Sequence, residues 1–279
     1  MNELLIIGGL TIDRFADGLS AAGGSVIHAG RAAVAEAVRP AFLTVAGEEP
    51  EARDGLEQLA TMGDVVRLPS VSTTTFAHAE RDGRRVLTLE RQSAPLNAAR
   101  PPAAAAALLA APIADELPAS VLRPLIAATR PSLVVCLIQG WLRHLDPGSP
   151  VRPIPLDEVG DETWLALGST DVVVVSTEDL AETPHDPFAQ AAALRARLGD
   201  RPVLVLTLGA QGHVLDDPAA SRVVASMPRR VVTDVPMVGA GDTFGAALTI
   251  QLARGLTDPA RASEAASDRV IAMLERRRP

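Results

Sequence analysis

The chain of 279 residues contains no lysine and no tyrosine, and it has one cysteine. Each absence excludes a class of chemistry. Without lysine, a glycine-rich phosphate loop ending in Lys-Ser/Thr cannot exist, so a P-loop nucleotide site is ruled out. Cys136 alone supports neither a disulfide framework nor a cysteine-based metal site, which fits a reducing interior. It lies in an apolar run, where a buried and inert thiol is expected. No histidine pair stands at metal-ligand spacing, which argues against zinc. Aromatic residues make up only 3% of the chain, and Trp141 and Trp164 read as packing residues rather than platforms for a base. Acidic residues outnumber basic ones, 34 to 26, which argues against the basic stripe of a nucleic-acid surface. A single nucleotide remains compatible, because a helix N-terminus supplies local positive potential. No uncharged apolar run reaches the length of a membrane span. Met1-Asn2-Glu3 lacks the basic start and long apolar stretch of a signal peptide, so a cytoplasmic protein is expected.

What is present is a rhythm of short apolar runs and helical stretches. Leu4 to Ile7, Phe42 to Ala46, Val65 to Leu68, Leu133 to Ile138, Asp171 to Val175 and Val203 to Leu208 read as buried strands. Helical stretches are expected at about Val26 to Val38, Glu51 to Met62, Gln190 to Leu198 and Ala260 to Leu274. Such alternation is the pattern of an α/β fold with a mainly parallel sheet covered on both faces. Ala103 to Ala111 is alanine-rich, carries leucines and is stopped by Pro112. Thr73 to Glu80 and Arg84 to Glu90 are more polar and β-prone, joined by the turn signal Arg81-Asp82-Gly83. This hairpin, about residues 73–90, reads as a lid, a sheet extension, a dimer contact or an ordinary edge hairpin. Val214-Leu215 and Arg222 to Ala225 suggest a short antiparallel pair. The basic tail Arg276-Arg277-Arg278 suits a helix C-terminus facing solvent.

Val238-Gly239-Ala240-Gly241-Asp242-Thr243-Phe244 is the stretch around which the rest is organised. A β-like run from Arg230 to Asp234 precedes it. Phe244, Ala247, Leu248 and Leu252 follow at helical spacing, so a helix starts near Gly241 or Asp242 and ends at Gly255. Small residues before a helix leave its first N–H groups open to an anion. Asp242 reads either as the helix N-cap or as a proton acceptor beside an anion hole, and spacing alone does not choose. Four other apolar runs also end in polar or glycine-rich groups: Gly8-Gly9 with Asp13, Gln139 with Arg143, Ser176 with Asp179, and Gly209 with Gly212. In open α/β sheets ligands bind beyond the carboxyl ends of the strands, so these groups are expected along one edge. Gly8-Gly9 lacks the spacing of a dinucleotide fingerprint.

These residues together resemble the ribokinase-like (PfkB-type) carbohydrate kinase family, in order from Leu4 to about Leu274. Gly239-Ala240-Gly241-Asp242 with Phe244 resembles its C-terminal signature. The resemblance implies that Asp242 is the catalytic base and that the backbone of Gly239, Ala240 and Gly241 is the anion hole. Gly23-Gly24 is similar to the N-terminal signature, whose loop contacts the phosphate acceptor. Asp13 matches the acidic residue that binds acceptor hydroxyls, and Gly47-Glu48-Glu49 echoes a Gly-Asp-Asp element. Thr207, Gly209 and Gly212, with Ser176, are similar to the nucleotide-binding elements. Ser176 to Asp179 resembles an Asn-x-x-Glu element with both ends altered, so Asp179 is expected to act on magnesium through water.

His28 stands where the family commonly has asparagine, and it is assigned to the acceptor site with Gln139 and Arg143, the arginine being suited to a phosphate or to an anionic substrate group. Pro236 and Met237 replace the usual Asp-Thr, so monovalent-cation activation is not expected. The implied architecture is one three-layer ribokinase-like kinase domain over residues 1–279. The implied activity is ATP- and Mg2+-dependent phosphorylation of a hydroxyl on a small polyol, sugar or cyclitol. A nucleoside acceptor, or a nucleotide- or sugar-binding regulatory protein with weakened turnover, are the alternatives; an NAD-linked enzyme is disfavoured. No nucleic-acid or membrane partner is expected, and a homodimer stays among the readings.

Overall fold

The computed structural model describes residues 2–81, 84–97, 104–181 and 186–278, with residues 2, 81, 84 and 85 described by backbone alone. The turn at Asp82-Gly83 therefore lies outside the described residues. The chain opens with β1 (Asn2–Ile7), β2 (Thr11–Arg14), β3 (Ser20–Gly23), α1 (Ser25–Ala35), β4 (Ala41–Ala46) and α2 (Pro50–Met62). Then come β5 (Asp64–Pro69), β6 (Thr74–Arg81), β7 (Arg84–Arg91), β8 (Ala105–Ala110), α3 (Ala119–Thr129) and β9 (Leu133–Leu137). The short pair β10 (Arg143–His144) and β11 (Arg152–Pro153) leads to α4 (Asp161–Leu167), β12 (Val172–Ser176), α5 (Pro187–Leu198) and β13 (Val203–Thr207). The remainder is β14 (His213–Asp217), β15 (Arg222–Ser226), α6 (Ala240–Ala253) and α7 (Pro259–Glu275).

Nine strands form the main sheet in the order β15-β14-β13-β12-β9-β8-β1-β4-β5. Pairing is parallel from β13 through to β5, while β14 and β15 close one edge antiparallel. Successive side chains of a strand point to opposite faces, and β1 divides its leucines and isoleucines accordingly. Leu5 and Ile7 pack with Leu122 and Leu125 of α3, Trp164 of α4 and Leu194 of α5. Leu4 and Ile6 pack with Ile27 of α1, Leu59 of α2, Phe244 and Leu248 of α6, and Ala266 of α7. The result is the expected three layers, with the central strands β1, β8, β9 and β12 largely apolar and buried between the helices. Cys136 is buried in the first of these layers, and burial pushes its thiol far above the ordinary value.

A second sheet, of order β3-β2-β6-β7, was only half anticipated as a hairpin. β6 and β7 pair antiparallel, but β6 also pairs parallel with β2, and β2 pairs antiparallel with β3. Glu49 fixes the start of β6: its carboxylate accepts from Thr73 N at 3.0 Å and Thr73 Oγ1 at 2.7 Å. Burial works to raise the pKa of Glu49, but these two bonds outweigh it and hold the carboxyl below its usual range. Gly47 N in turn donates to Thr73 Oγ1 at 2.8 Å. The Gly47-Glu48-Glu49 element is thus a clamp between the two sheets.

One expected strand is absent. Residues 230–234 form no strand; Asp234 adopts a positive φ of 62°, which ends extended pairing. The basic tail also differs from the solvent-facing reading. Arg277 Nη1 donates to Pro236 O at 2.6 Å and to Val238 O at 2.8 Å. That guanidinium holds the loop leading into α6.

Candidate active site

The direction of strand order reverses between β1 and β8, which leaves a crevice at their carboxyl ends. Glu116 closes the bottom of it. Its fully buried carboxylate accepts from Gly9 N at 2.6 Å, Ile113 N at 3.0 Å and Ala114 N at 2.7 Å. Burial raises the pKa of Glu116 against the pull of these backbone donors. The carboxylate therefore ties the end of β1 to the turn after β8.

Two helices begin above this crevice without a side-chain cap. Gly24, at φ 99°, is the N-cap of α1, and Gly239, at φ 78°, is the N-cap of α6. α1 and α6 pack against each other, so two positive dipole ends face one region. Glycine is required at both places. A Cβ on Gly24 would lie 2.5 Å from Gly9 O. On Gly239 it would run into the imidazole of His28.

Asp242 is not the cap. It sits in the first turn of α6, is 8% exposed, and its Oδ1 has no hydrogen-bond partner. A buried carboxylate oxygen left without a partner is costly, and such atoms mark sites where a ligand group completes the bonding. Ala240 N already donates to Met237 O at 3.0 Å. Of the Gly239 to Gly241 groups, Ala240 N is therefore already engaged, and the helix runs on through Gly241 and Asp242 to Thr243 N, which donates to Gly239 O at 2.9 Å.

Asp13, His28, Gln139 and Arg143, which the sequence assigns to an acceptor site, lie around this point. Asp13, on β2, leans over Gly23, the last residue of β3, where any side chain would collide with its carboxylate. His28 is partly buried, and desolvation lowers its pKa against the opposing pull of Asp242; Arg31, Asp13 and Arg277 also act on it. Its neutral form is favoured. Gln139 and Arg143 extend the cluster across the sheet edge. Gln139 Nε2 donates to Ser25 Oγ at 3.2 Å, and Arg143 Nη2 donates to Gln139 Oε1 at 2.9 Å and Asp179 Oδ1 at 3.4 Å. One chain of contacts therefore links the start of α1, the end of β9 and the turn after β12.

Asp179 is accordingly turned toward Arg143. Desolvation raises its pKa, and the Arg143 charge partly offsets this. No group of three histidine, cysteine or carboxylate side chains among the described residues can hold a metal ion. Ser176 Oγ accepts from Glu178 N at 3.2 Å and caps its own turn. Thr207 pairs with Ser176 in register and donates through Oγ1 to Val175 O at 3.3 Å. Gly209 and Gly212, at φ 58° and 97°, shape the tight turn between β13 and β14. Ser176, Thr207, Gly209 and Gly212 thus stand at the adjacent ends of β12 and β13.

Two residues beside this cluster were not singled out from the sequence. Arg277 lies in a tail that resembles any basic C-terminus. His78, on β6, has Nε2 3.0 Å from Asp13 Oδ1. Its place two residues after the buried Phe76 was a usable signal, because both then face the same side of the sheet.

Comparison with known proteins supports the same architecture. Residues 153–267 match the sequence model described as pfkB family carbohydrate kinase. A structure described as a pyrophosphate-dependent kinase in the ribokinase family, complexed with a pyrophosphate analog and myo-inositol, superposes with TM-score 0.77 at 18% identity, covering 98% of this chain and 95% of that one. An apo fructokinase from Vibrio cholerae gives 0.70 at 20% identity, covering 99% of both chains. The Arabidopsis thaliana ribokinase complexed with ribose and ATP gives 0.70 at 18%, covering 98% of this chain and 99% of that one. At these identities the likeness establishes a ribokinase-like fold. No curated protein sequence matches the chain.

Proposed function

We propose, from a chain that is PfkB-type in its fold and in residues 153–267, that it transfers a phosphoryl group to a hydroxyl of a small polyol. The PfkB family is one of carbohydrate kinases, phosphotransferases with alcohol acceptors. The observation that carries the reading is the buried, unpartnered Oδ1 of Asp242 at the uncapped start of α6. Phosphoryl transfer depends on alignment and charge stabilisation, and this arrangement supplies both. Asp242 accepts the proton of the attacking hydroxyl while the first-turn N–H groups of α6 stabilise the charge on the transferred group. Asp13 and His28 hold the acceptor, and Arg143 meets donor phosphate oxygens. Magnesium, when bound with the donor, neutralises phosphate charge.

The test is Asp242→Asn, which keeps the volume and removes the base. It is expected to lower kcat by roughly 10²–10⁴ with an unchanged thermal midpoint. Wild-type turnover in that variant would remove Asp242 from the chemistry.

ATP is the first reading for the donor. Inorganic pyrophosphate is the second, favoured by the pyrophosphate-dependent kinase described among the structural neighbours and by Arg143 at the strand edge. Parallel assays with ATP and with pyrophosphate, scored by acceptor phosphorylation, separate the two.

A further inference from the structure

The second sheet presents a coherent face to the site. Asp13 pairs in register with Phe76, so Asp13, Phe15, Phe76 and His78 project to the same side of the pleat. Phe76 packs inward with Leu89 and Ala114, which anchors β6 against the main domain. Two residues on, His78 sets Nε2 3.0 Å from Asp13 Oδ1, both side chains being largely buried. The ring of Phe15, itself half-exposed, stands 5.0 Å from the His78 ring, centroid to centroid, at 36°.

We infer that His78 is a positioning and specificity residue of the acceptor site, acting through Asp13. This deepens the kinase reading and rests on it. One oxygen of Asp13 lies 3.0 Å from the imidazole Nε2, and the other lies over Gly23. The carboxylate is thereby fixed and presents a restricted set of lone pairs to a ligand. A carboxylate accepts hydrogen bonds from hydroxyls, and one held in a single orientation matches two neighbouring hydroxyls of a neutral polyol. Phe15 beside it supplies an apolar surface for the carbon face of a ring. An acceptor bearing a carboxylate or phosphate at this position would meet Asp13 and be repelled.

The experiment has two arms. In the first, the His78 imidazole is followed by nitrogen-15 NMR in the intact protein, in wild type and in Asp13→Asn, while myo-inositol, fructose or ribose is titrated in. A His78 signal that moves on Asp13→Asn and again on addition of one of these polyols is expected. In the second arm, acceptor and donor kinetics are measured for His78→Leu and His78→Gln. His78→Leu is expected to raise the acceptor KM by about tenfold or more, roughly the scale of one buried hydrogen bond, with donor KM unchanged. His78→Gln, which keeps a donor, should recover most of that loss. The effect of His78→Leu should vanish in an Asp13→Asn background. An imidazole signal indifferent to Asp13, or equal changes in donor and acceptor KM, overturns the inference. Absence of turnover with any polyol in the wild type would instead remove the kinase reading, and the NMR arm would still decide whether Asp13 and His78 form a polyol-binding unit.

Discussion

Gly239→Ala separates two costs that usually arrive together. Gly239 has φ 78°, and a Cβ there would strike His28. The left-handed conformation alone costs an L-residue about 1–2 kcal/mol, partly offset by about 0.4–1 kcal/mol from a less flexible unfolded chain. Forcing a methyl into an occupied space adds about 1–3 kcal/mol. Gly255 is the internal control, because its φ is 93° and nothing lies within 4 Å of a Cβ there. Urea denaturation, followed by tryptophan fluorescence, should therefore give a loss of about 1 kcal/mol for Gly255→Ala and about 2–4 kcal/mol for Gly239→Ala. The excess belongs to His28. In a His28→Ala background the Gly239→Ala loss should fall to the level seen at Gly255. Equal losses at the two glycines, or an excess that survives removal of the imidazole, would refute the packing of His28 against the start of α6.

Two further outcomes are expected. Arg277→Ala removes two charge-assisted bonds to the carbonyls before Gly239. It should lower kcat by about 10-fold to 100-fold, the scale of a small misplacement of the reacting groups, while Arg278→Ala does not. Steady-state kinetics of the two variants check this. Stability should also fall on mild acidification. His213 is buried and His28 partly buried, and desolvation lowers both below the ordinary value of 6.5. The unfolded chain then binds protons that the native state resists, so stability decreases as pH drops below about 6.5 and levels off below the native pKa. Each histidine contributes a slope of at most about 1.4 kcal/mol per pH unit. Urea midpoints between pH 7.5 and 5.5 should shift less in His213→Gln than in wild type.

Much of this was legible in the chain because the main strands are apolar on both faces. Runs such as Leu4 to Ile7 and Val203 to Leu208 can form little else, and the groups after four of them do share one sheet edge. Asp242 and the glycines before it were legible for a similar reason: a helix start with no capping side chain is written in small residues. What escaped notice follows from non-local physics. β2 and β3 are four residues each, too short to show a period, and they become strands through pairing with β6. Ala105–Ala110 is a strand because it lies between β1 and β9, although alanine favours helix. The run at 230–234 has strand propensity but gains no partner, and the side chain of Arg277 organises the loop after it. Pro236 and Met237 departed from the family pattern, and the structure places the supporting contact elsewhere in sequence, at a residue 39 positions beyond Val238.

The parallel pairing of β2 with β6 has a mechanical consequence. Four consecutive residues of β2, from Thr11 to Arg14, are in register with Thr74 to Ala77. Asp13 is thus built into the same sheet as the 73–90 hairpin, and the clamp at Glu49 and Thr73 sits at one end of it. A movement of that sheet as a unit carries Asp13 with it. If Asp13 holds the acceptor as proposed, gate and grip are one part, and opening the site and loosening the hydroxyl contacts occur together.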